Sequence, residues 1–132
     1  MAFFEWSNTF SVGVMEMDAQ HRRLVDIVNR LHDAMKNGAA KTSVMCVVEE
    51  LVAYTRTHFA SEERVMRAAG YPEIDEHIAV HRKLIAHVES FRAETGASLP
   101  LKLMSFLKGW LTKHILETDK KYAPYVTKAK VA

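Results

Sequence analysis

The sequence predicts an all-α protein, an antiparallel up-down four-helix bundle with an extended N-terminal arm. Capping residues, glycine and proline divide the chain into four long segments. None of these segments shows the sustained alternation of apolar and polar residues that is typical of a half-buried strand. Because the connections between the segments are short, we expect neighbouring helices to pack antiparallel to one another.

The first two helices are predicted from the signals at their ends. The first begins at about Asp18, a candidate N-cap, and runs to about Asn37, before Gly38. The second begins near residues 42–43 and runs to Gly70, where glycine is expected to cap the carboxyl end.

The last two helices follow a turn that contains proline. The third is expected over residues 73–95, and Pro100 opens the fourth at a first helical position. The fourth is expected to end between Asp119 and Tyr122, with Pro124 beyond it. We therefore expect one domain over residues 1–132, which consists of an arm (1–17), a bundle (18–122) and a C-terminal tail (123–132).

Composition and charge exclude several classes of function. Hydrophobic residues make up 48% of the chain and charged residues 26%, as in an ordinary soluble domain. The net charge of +2, from 18 basic and 16 acidic residues, is too balanced for a nucleic-acid or membrane-surface binding protein. No apolar run approaches the roughly 20 residues that a membrane helix needs.

The predicted compartment is the cytoplasm. Residues 1–10 lack the basic and long apolar regions of a signal peptide. Cys46 is the only cysteine and cannot form an internal disulfide, which favours a reducing environment.

Polar side chains interrupt the apolar stripes of all four helices. The stripes read His21, Leu24, Val28, Leu31, Met35 in the first helix; Val44, Val48, Leu51, Thr55, His58, Glu62, Val65, Ala69 in the second; Ile74, His77, His81, Leu84, Val88, Phe91 in the third; and Leu103, Leu107, Trp110, His114 in the fourth. Burying an ionised glutamate among histidines without compensation costs several kcal/mol. A metal centre would supply that compensation.

The spacing of these residues suits metal binding. The pairs His58/Glu62 and His77/His81 lie four residues apart, so both members face the same side of a helix. Asp119 lies five residues after His114, about 140° round an ideal α-helix. Asp119 is therefore the weakest candidate on helix geometry, and it joins the others only if the helix distorts or its side chain reaches back.

Five histidines and two carboxylates form the candidate ligand set: His21, His58, Glu62, His77, His81, His114 and Asp119. Seven groups are too many for one tetrahedral zinc ion, but they suit two six-coordinate ions that share the carboxylates. Imidazole and carboxylate ligands together suit iron, although the same ligand types could also bind zinc, copper or nickel. The Glu-x-x-His motif of ferritin-like di-iron sites does not occur in the chain.

These motifs resemble the hemerythrins, and among them the single-domain bacterial type. The matching elements are a lone His21, the run His58-Phe59-Ala60-Ser61-Glu62, the pair His77-x-x-x-His81, the pair His114-x-x-x-x-Asp119, the Trp6 arm and the Gly70-Tyr71 turn. The resemblance covers nearly the whole chain and fills all seven ligand positions.

The resemblance implies a role for each ligand. His77, His81 and His114 would hold one iron, and His21 and His58 would hold a second iron that keeps an open position for dioxygen. Glu62 and Asp119 would bridge the two ions together with an oxo or hydroxo group, the irons cycling between Fe2+ and Fe3+. The resemblance also places Tyr122 near the site and makes an apolar oxygen pocket of Phe59, Trp110, Leu111 and Ile115, which would exclude water.

Other polar residues are expected to lie outside the site. His32 is about 16 Å along the helix from His21, and His87 lies off the apolar stripe. Four acidic residues are expected on solvated helix faces: Glu49, Glu50, Glu63 and Glu117. Phe59 and Trp110 could equally be plain core aromatics.

The predicted function is that of a binding protein, not an enzyme, which carries, stores or delivers dioxygen. A monomer with no nucleic-acid or membrane partner is expected. Two alternatives stay open: a sensor of oxygen or redox state, and a di-iron oxidase, peroxidase or nitric-oxide-handling enzyme. The sequence contains no second acid-base constellation, which weighs against the enzyme.

Overall fold

The chain forms a four-helix bundle, as the sequence predicts. The structure is a computed structural model, and it describes residues 4–38, 41–93 and 99–131. The elements are α1 (Met15–Lys36), α2 (Lys41–Ala69), α3 (Ile74–Ala93), α4 (Leu99–Lys113), a π-helical turn (His114–Asp119) and α5 (Lys120–Val131). The last three elements are continuous and together form the fourth long helical segment of the bundle; the four long segments are called rods below. Helix α2 packs against α1, α3 and α5, and α4 packs against α1.

The start of α1 differs from the prediction. The helix begins at Met15, so Asp18 lies inside its first turn and is not its N-cap. The Asp18 carboxylate instead accepts hydrogen bonds from the Ser11 hydroxyl at 2.6 Å and from the Val12 backbone N–H at 2.8 Å. Asp18 therefore fastens the arm to the first turn, where the helix dipole also favours a negative charge.

Glycine caps α1 and α2 at the predicted positions. Gly38 and Gly70 have φ angles of +69° and +71°, in the left-handed region that side chains with a Cβ disfavour. After α2, the Gly70 N–H donates to the Arg67 carbonyl and the Tyr71 N–H donates to the Met66 carbonyl, both at 3.1 Å. These two bonds form a Schellman motif, which ends the helix and turns the chain toward α3.

The predicted end of the fourth rod is wrong. Helix α5 continues to Val131 with Pro124 inside it, so residues 123–131 of the predicted tail are helical. Tyr122 and Val126, on either side of the proline, are buried in the core, whereas Pro124 is exposed. Tertiary packing on both sides therefore offsets the hydrogen bond that proline removes, and the freed carbonyl can bind water. The division into arm, bundle and tail otherwise stays a prediction.

Two aromatic residues of the arm, Phe4 and Trp6, contact the bundle. Phe4 is buried, and its backbone N–H and carbonyl both bond to the Asn29 side chain at 2.8 Å. Trp6 is half-buried and lies 5.2 Å from the Arg22 guanidinium, a cation–π contact. A short 3₁₀ turn, Asn8–Phe10, lies in the described part of the arm.

The core follows the predicted stripes where side chains are described. Leu24, Val28 and Leu31 of α1 pack with Val48 and Leu51 of α2. The side chains of Phe91 and Leu103 lie outside the described residues. No helix in the described part of the chain is both long and apolar enough to cross a membrane.

Candidate metal centre

Seven polar side chains converge inside the bundle, and they are the seven predicted from the sequence. Each helical rod contributes at least one of them, and each residue is 3% exposed or less. Their ligand atoms form two groups in which all atoms lie within 4.8 Å of one another. One group is Glu62, His77, His81, His114 and Asp119; the other is His21, His58, Glu62 and Asp119. The two carboxylates belong to both groups.

Glu62 of α2 directs its two oxygens toward different histidines. Oε1 lies 2.9 Å from His81 Nε2 and 3.1 Å from His77 Nε2. Oε2 lies 3.3 Å from His58 Nε2 and 3.4 Å from His21 Nε2. The carboxylate thus stands between a group of three histidines and a group of two.

Asp119 divides its oxygens in the same way. Oδ1 lies 2.8 Å from His114 Nε2 and 3.2 Å from His77 Nε2, and Oδ2 lies 2.9 Å from His21 Nε2. Two carboxylates that each offer one oxygen to either histidine group have the arrangement of bridging ligands between two ions.

The π-helical turn explains how Asp119 reaches the centre. It spans His114–Asp119, the two polar residues at its ends. A π turn closes hydrogen bonds between residues five apart, so residues with that separation come to one face of the helix. The distortion that the sequence required for Asp119 is therefore present, at the residues that need it.

Several buried ligand atoms have no hydrogen bond within the described part of the chain. They are Nε2 of His21, His58 and His114 and both oxygens of Asp119. Their neighbours lie close, at about 3 Å, but not in hydrogen-bonding geometry. Two ligand atoms about 2.1 Å from one ion and at right angles lie about 3 Å apart. The donor set therefore fits metal ions better than it fits hydrogen bonds among its own members.

In the metal-free cluster, the carboxylates and the histidines stabilise each other's charged forms. Burial alone would raise the pKa of Glu62, but the neighbouring His58, His114 and His21 hold it well below its usual value. Burial and the Glu62 charge likewise oppose ionisation of Asp119, yet His114 and His21 lower its pKa. Ionised carboxylates thus face a set of histidines.

The histidines respond in the opposite direction. Burial would lower their pKa values, but the Asp119 and Glu62 carboxylates outweigh it and raise the pKa of His21 to about 9 and that of His114 to about 10. The pKa of His77 is raised for the same reason. Metal ions must therefore displace protons, because only neutral imidazole binds a metal.

Three further residues hold the candidate ligands in place. The Tyr122 hydroxyl donates to Glu62 Oε2 at 2.9 Å, so Tyr122 is next to the site as expected. The outer nitrogens of two histidines bond to Gln20 and Glu63: His58 Nδ1 to Gln20 Oε1 at 2.6 Å, and His81 Nδ1 to Glu63 Oε2 at 2.9 Å.

The apolar stripes did not predict these last two contacts. The expectation that Glu63 lies on a solvated face is wrong, since its side chain is only 21% exposed and is bonded to His81. Gln20 directly precedes His21, and Glu63 directly follows Glu62. A polar residue next to a ligand lies about 100° round the helix, where it can reach a ligand on the neighbouring helix; that adjacency was the available signal.

Aromatic rings cover the three-histidine side of the cluster. Phe59 stacks on His81 with ring centroids 3.7 Å apart, and Trp110 stacks on His114 at 4.5 Å. Leu111 and Ile115 are buried nearby along the chain. That these four residues line an oxygen pocket stays a prediction.

The remaining histidines lie outside the two ligand groups, as expected. His87 is exposed and stacks on Phe106, and His32 is half-buried in α1. Glu49 and Glu117 are exposed, and Cys46 is exposed and far from the cluster in sequence.

Known proteins match the chain over most of its length. The family model for the hemerythrin HHE cation-binding domain matches residues 12–126. A bacteriohemerythrin of Stenotrophomonas maltophilia is 36% identical over 128 residues, which cover 96% of this chain and 83% of the relative. A myohemerythrin of Riftia pachyptila is 29% identical, over 90% of each chain. The crystal structure of a wild-type hemerythrin superposes with a TM-score of 0.84 at 30% identity, over 96% of this chain and 99% of the other.

Proposed function

The chain belongs to the hemerythrin family, and from that premise we propose that it holds two iron ions and binds dioxygen reversibly. Its role would be carriage, storage or local delivery of oxygen, as a binding protein and not an enzyme. The proposal rests on one observation: Glu62 and Asp119 each direct one oxygen to the three-histidine group and the other oxygen to the two-histidine group.

The grouping of the candidate ligand atoms supports the proposed ligand roles. His77, His81 and His114 would hold one ion, His21 and His58 would hold the other, and Glu62 and Asp119 would bridge them with an oxo or hydroxo group. The two-histidine group offers one metal-binding residue fewer than the three-histidine group. A small ligand would therefore find its free position on that side.

Iron is the proposed metal because of the donor set and the family together. Imidazole with carboxylate suits iron without excluding zinc or copper, and the membership favours two iron ions that cycle between Fe2+ and Fe3+. When bound, the iron pair supplies the electrons that dioxygen takes up.

The surrounding residues would keep the site ordered and dry. Tyr122 fixes the orientation of the Glu62 carboxylate through its hydrogen bond. We propose that Phe59, Trp110, Leu111 and Ile115 line the oxygen pocket and keep water from the ligand. Exclusion of water limits the side reactions that release reduced oxygen species. The expectation of a cytoplasmic monomer is part of the same proposal.

The test is the optical spectrum of the iron-loaded protein, reduced without air, then exposed to oxygen, then returned to vacuum. We expect about two irons per chain and a visible charge-transfer band that appears with oxygen and disappears under vacuum. His58→Ala should lose this band, whereas His87→Ala, an exposed histidine outside the cluster, should keep it.

Two results would contradict the proposal. Iron that oxidises without a recoverable oxygenated form would favour a sensor or an enzyme instead of an oxygen carrier. Fewer than two metal ions per chain in the parent protein would contradict the bridged site itself.

A further inference from the structure

Two ligand histidines hydrogen-bond outward to acceptors of different charge. In the three-histidine group, His81 Nδ1–H donates to the Glu63 carboxylate at 2.9 Å. In the two-histidine group, His58 Nδ1–H donates to the amide oxygen of Gln20 at 2.6 Å. One ring therefore faces an anion on its outer side, and the other faces a neutral dipole.

Each of these bonds fixes which nitrogen faces the cluster. Since Nδ1 carries the hydrogen that is donated outward, Nε2 keeps the free lone pair in a neutral ring. The Nε2 atoms of His81 and His58 lie 2.9 Å and 3.3 Å from Glu62 oxygens, inside the ligand groups. Glu63 and Gln20 thus hold both rings in the tautomer and orientation that metal binding needs.

The difference in charge has a chemical consequence. A carboxylate that accepts the outer N–H draws that hydrogen toward itself, which raises the basicity of the nitrogen bound to metal. A more basic ligand stabilises the higher charge of a ferric ion over a ferrous ion. A neutral amide orients the ring in the same way but has less of this effect.

Glu63 is placed to exert this effect. Its side chain is 21% exposed, at a surface cavity of about 410 Å³ between α2 and α3 that His81, Arg56 and Arg82 also line. The Arg56 guanidinium is bonded to Glu89, on the neighbouring helix. Arg56 is thus engaged with another carboxylate, while the Glu63 oxygen is bonded to His81.

We infer that Glu63 and Gln20 are positioning residues that make the two metal positions unequal, with the Glu63-bonded side stabilised in the ferric state. This inference rests on the proposed iron site and adds to it a control of its reduction potential. Loss of the Glu63 charge raises the potential, and gain of a charge at Gln20 lowers it.

The first test measures the reduction potential of the iron-loaded protein by anaerobic titration followed optically. Glu63→Gln keeps an acceptor of the same shape without the charge, and we expect an about tenfold weaker preference for ferric iron, a rise of about 59 mV for one electron. Gln20→Glu should shift the potential in the opposite direction. The matched control is Glu49→Gln, which removes the same charge from an exposed position of α2, about 21 Å along the helix.

The second test separates orientation from charge with Co2+ as the probe. Glu63→Ala removes the acceptor, and we expect about tenfold weaker Co2+ binding, within the usual effect of losing such a partner. Glu63→Gln should lose less Co2+ affinity than Glu63→Ala, because its amide oxygen still accepts the His81 N–H and only the effect of the charge is lost. Thermal unfolding of the metal-free variants serves as the check that the fold is kept.

The inference is overturned if Glu63→Gln shifts the potential no more than Glu49→Gln, or if Glu63→Ala binds Co2+ as tightly as the parent protein. Its failure differs from failure of the proposed function. A parent protein that holds iron with the expected shifts but never releases oxygen would contradict only the carrier function. Reversible oxygenation with no shifts in the variants would contradict only the inference.

Discussion

At the scale of single residues, the centre depends on carboxylates that are buried and ionised together. Glu62 and Asp119 are fully buried, and each faces histidines on both of its oxygens. Such charges are tolerated only when every polar atom has a partner or a metal. Substitutions that remove one partner should therefore lower the free energy of unfolding considerably, even when they remove only one atom.

Tyr122→Phe is the smallest such change. It removes the hydroxyl that donates to Glu62 Oε2, and we expect the metal-free protein to lose about 1–3 kcal/mol of unfolding free energy, the usual cost of leaving a buried acceptor unpaired. Urea unfolding measures this loss. Tyr125→Phe is the control, since Tyr125 is 44% exposed, and equal losses in the two variants would refute the prediction.

Metal binding should release protons because of the raised histidine pKa values. In the metal-free protein His21 and His114, with pKa values of about 9 and 10, hold protons at pH 7. The apparent metal affinity should therefore increase as the pH rises from 6 toward 9, because fewer protons have to be displaced. Anaerobic Fe2+ titration in weak buffer with a pH indicator should show about two or more protons released at pH 7. An affinity independent of pH would contradict this assignment of charge.

At the scale of elements, the fourth rod differs from the other three. The pairs in α2 and α3 use the four-residue spacing of a regular helix, whereas His114 and Asp119 use five residues and a π turn. A π turn amounts to one extra residue in an α-helix. Residues beyond it, including Tyr122 and Val126, are buried in the shifted register.

Deleting Glu117 should turn this segment into a regular helix. Glu117 is exposed within the π turn, and without it His114 and Asp119 would be four residues apart and still on one face. We expect the variant to keep both metal ions per chain, measured by metal analysis, with helical content unchanged by circular dichroism.

The control for this experiment is deletion of Lys83, an exposed residue of the regular helix α3. That deletion rotates Leu84 and Val88 out of the core, so it should destabilise the fold by several kcal/mol. If deletion of Glu117 destabilises the fold as much as deletion of Lys83 does, the prediction is contradicted, and the π turn has a role beyond accommodating one additional residue.

At the scale of the whole molecule, the proposed metal centre joins all four rods. α1 supplies His21, α2 supplies His58 and Glu62, and the ligands of α3 and the π turn complete the set. Ions bound here bind the folded chain far better than the unfolded chain, because the ligands come together only on folding. The bundle and the centre should therefore stabilise each other.

Removal of the metal should lower the stability of the whole bundle. At a free metal concentration 100 times the dissociation constant, binding adds about 2.7 kcal/mol to the unfolding free energy. For a chain of this size we expect the midpoint of thermal unfolding to fall by about 8 °C or more on chelation, measured by circular dichroism. Restoring metal should restore the midpoint, and an unchanged midpoint would mean that the centre contributes nothing to the fold.

The amino-acid pattern was enough to predict four helical segments, their antiparallel arrangement and six of the seven candidate ligands with little ambiguity. Apolar stripes and glycine caps such as Gly70 act through neighbours a few residues away, so local geometry decides them. The pairs His58/Glu62 and His77/His81 face one side of a helix because four residues make about one turn.

The remaining features depend on contacts between helices that are distant in sequence. Local helix preferences disfavour the π turn that brings Asp119 inward and the continuation of α5 past Pro124. They also do not indicate which residues bind the outer histidine nitrogens. Each is stabilised by contacts with other helices: Asp119 by His21 and His77, Tyr122 by Glu62, and His81 by Glu63. Contacts between residues that are distant in sequence can outweigh the cost of an irregular helix, and a local pattern does not reveal them.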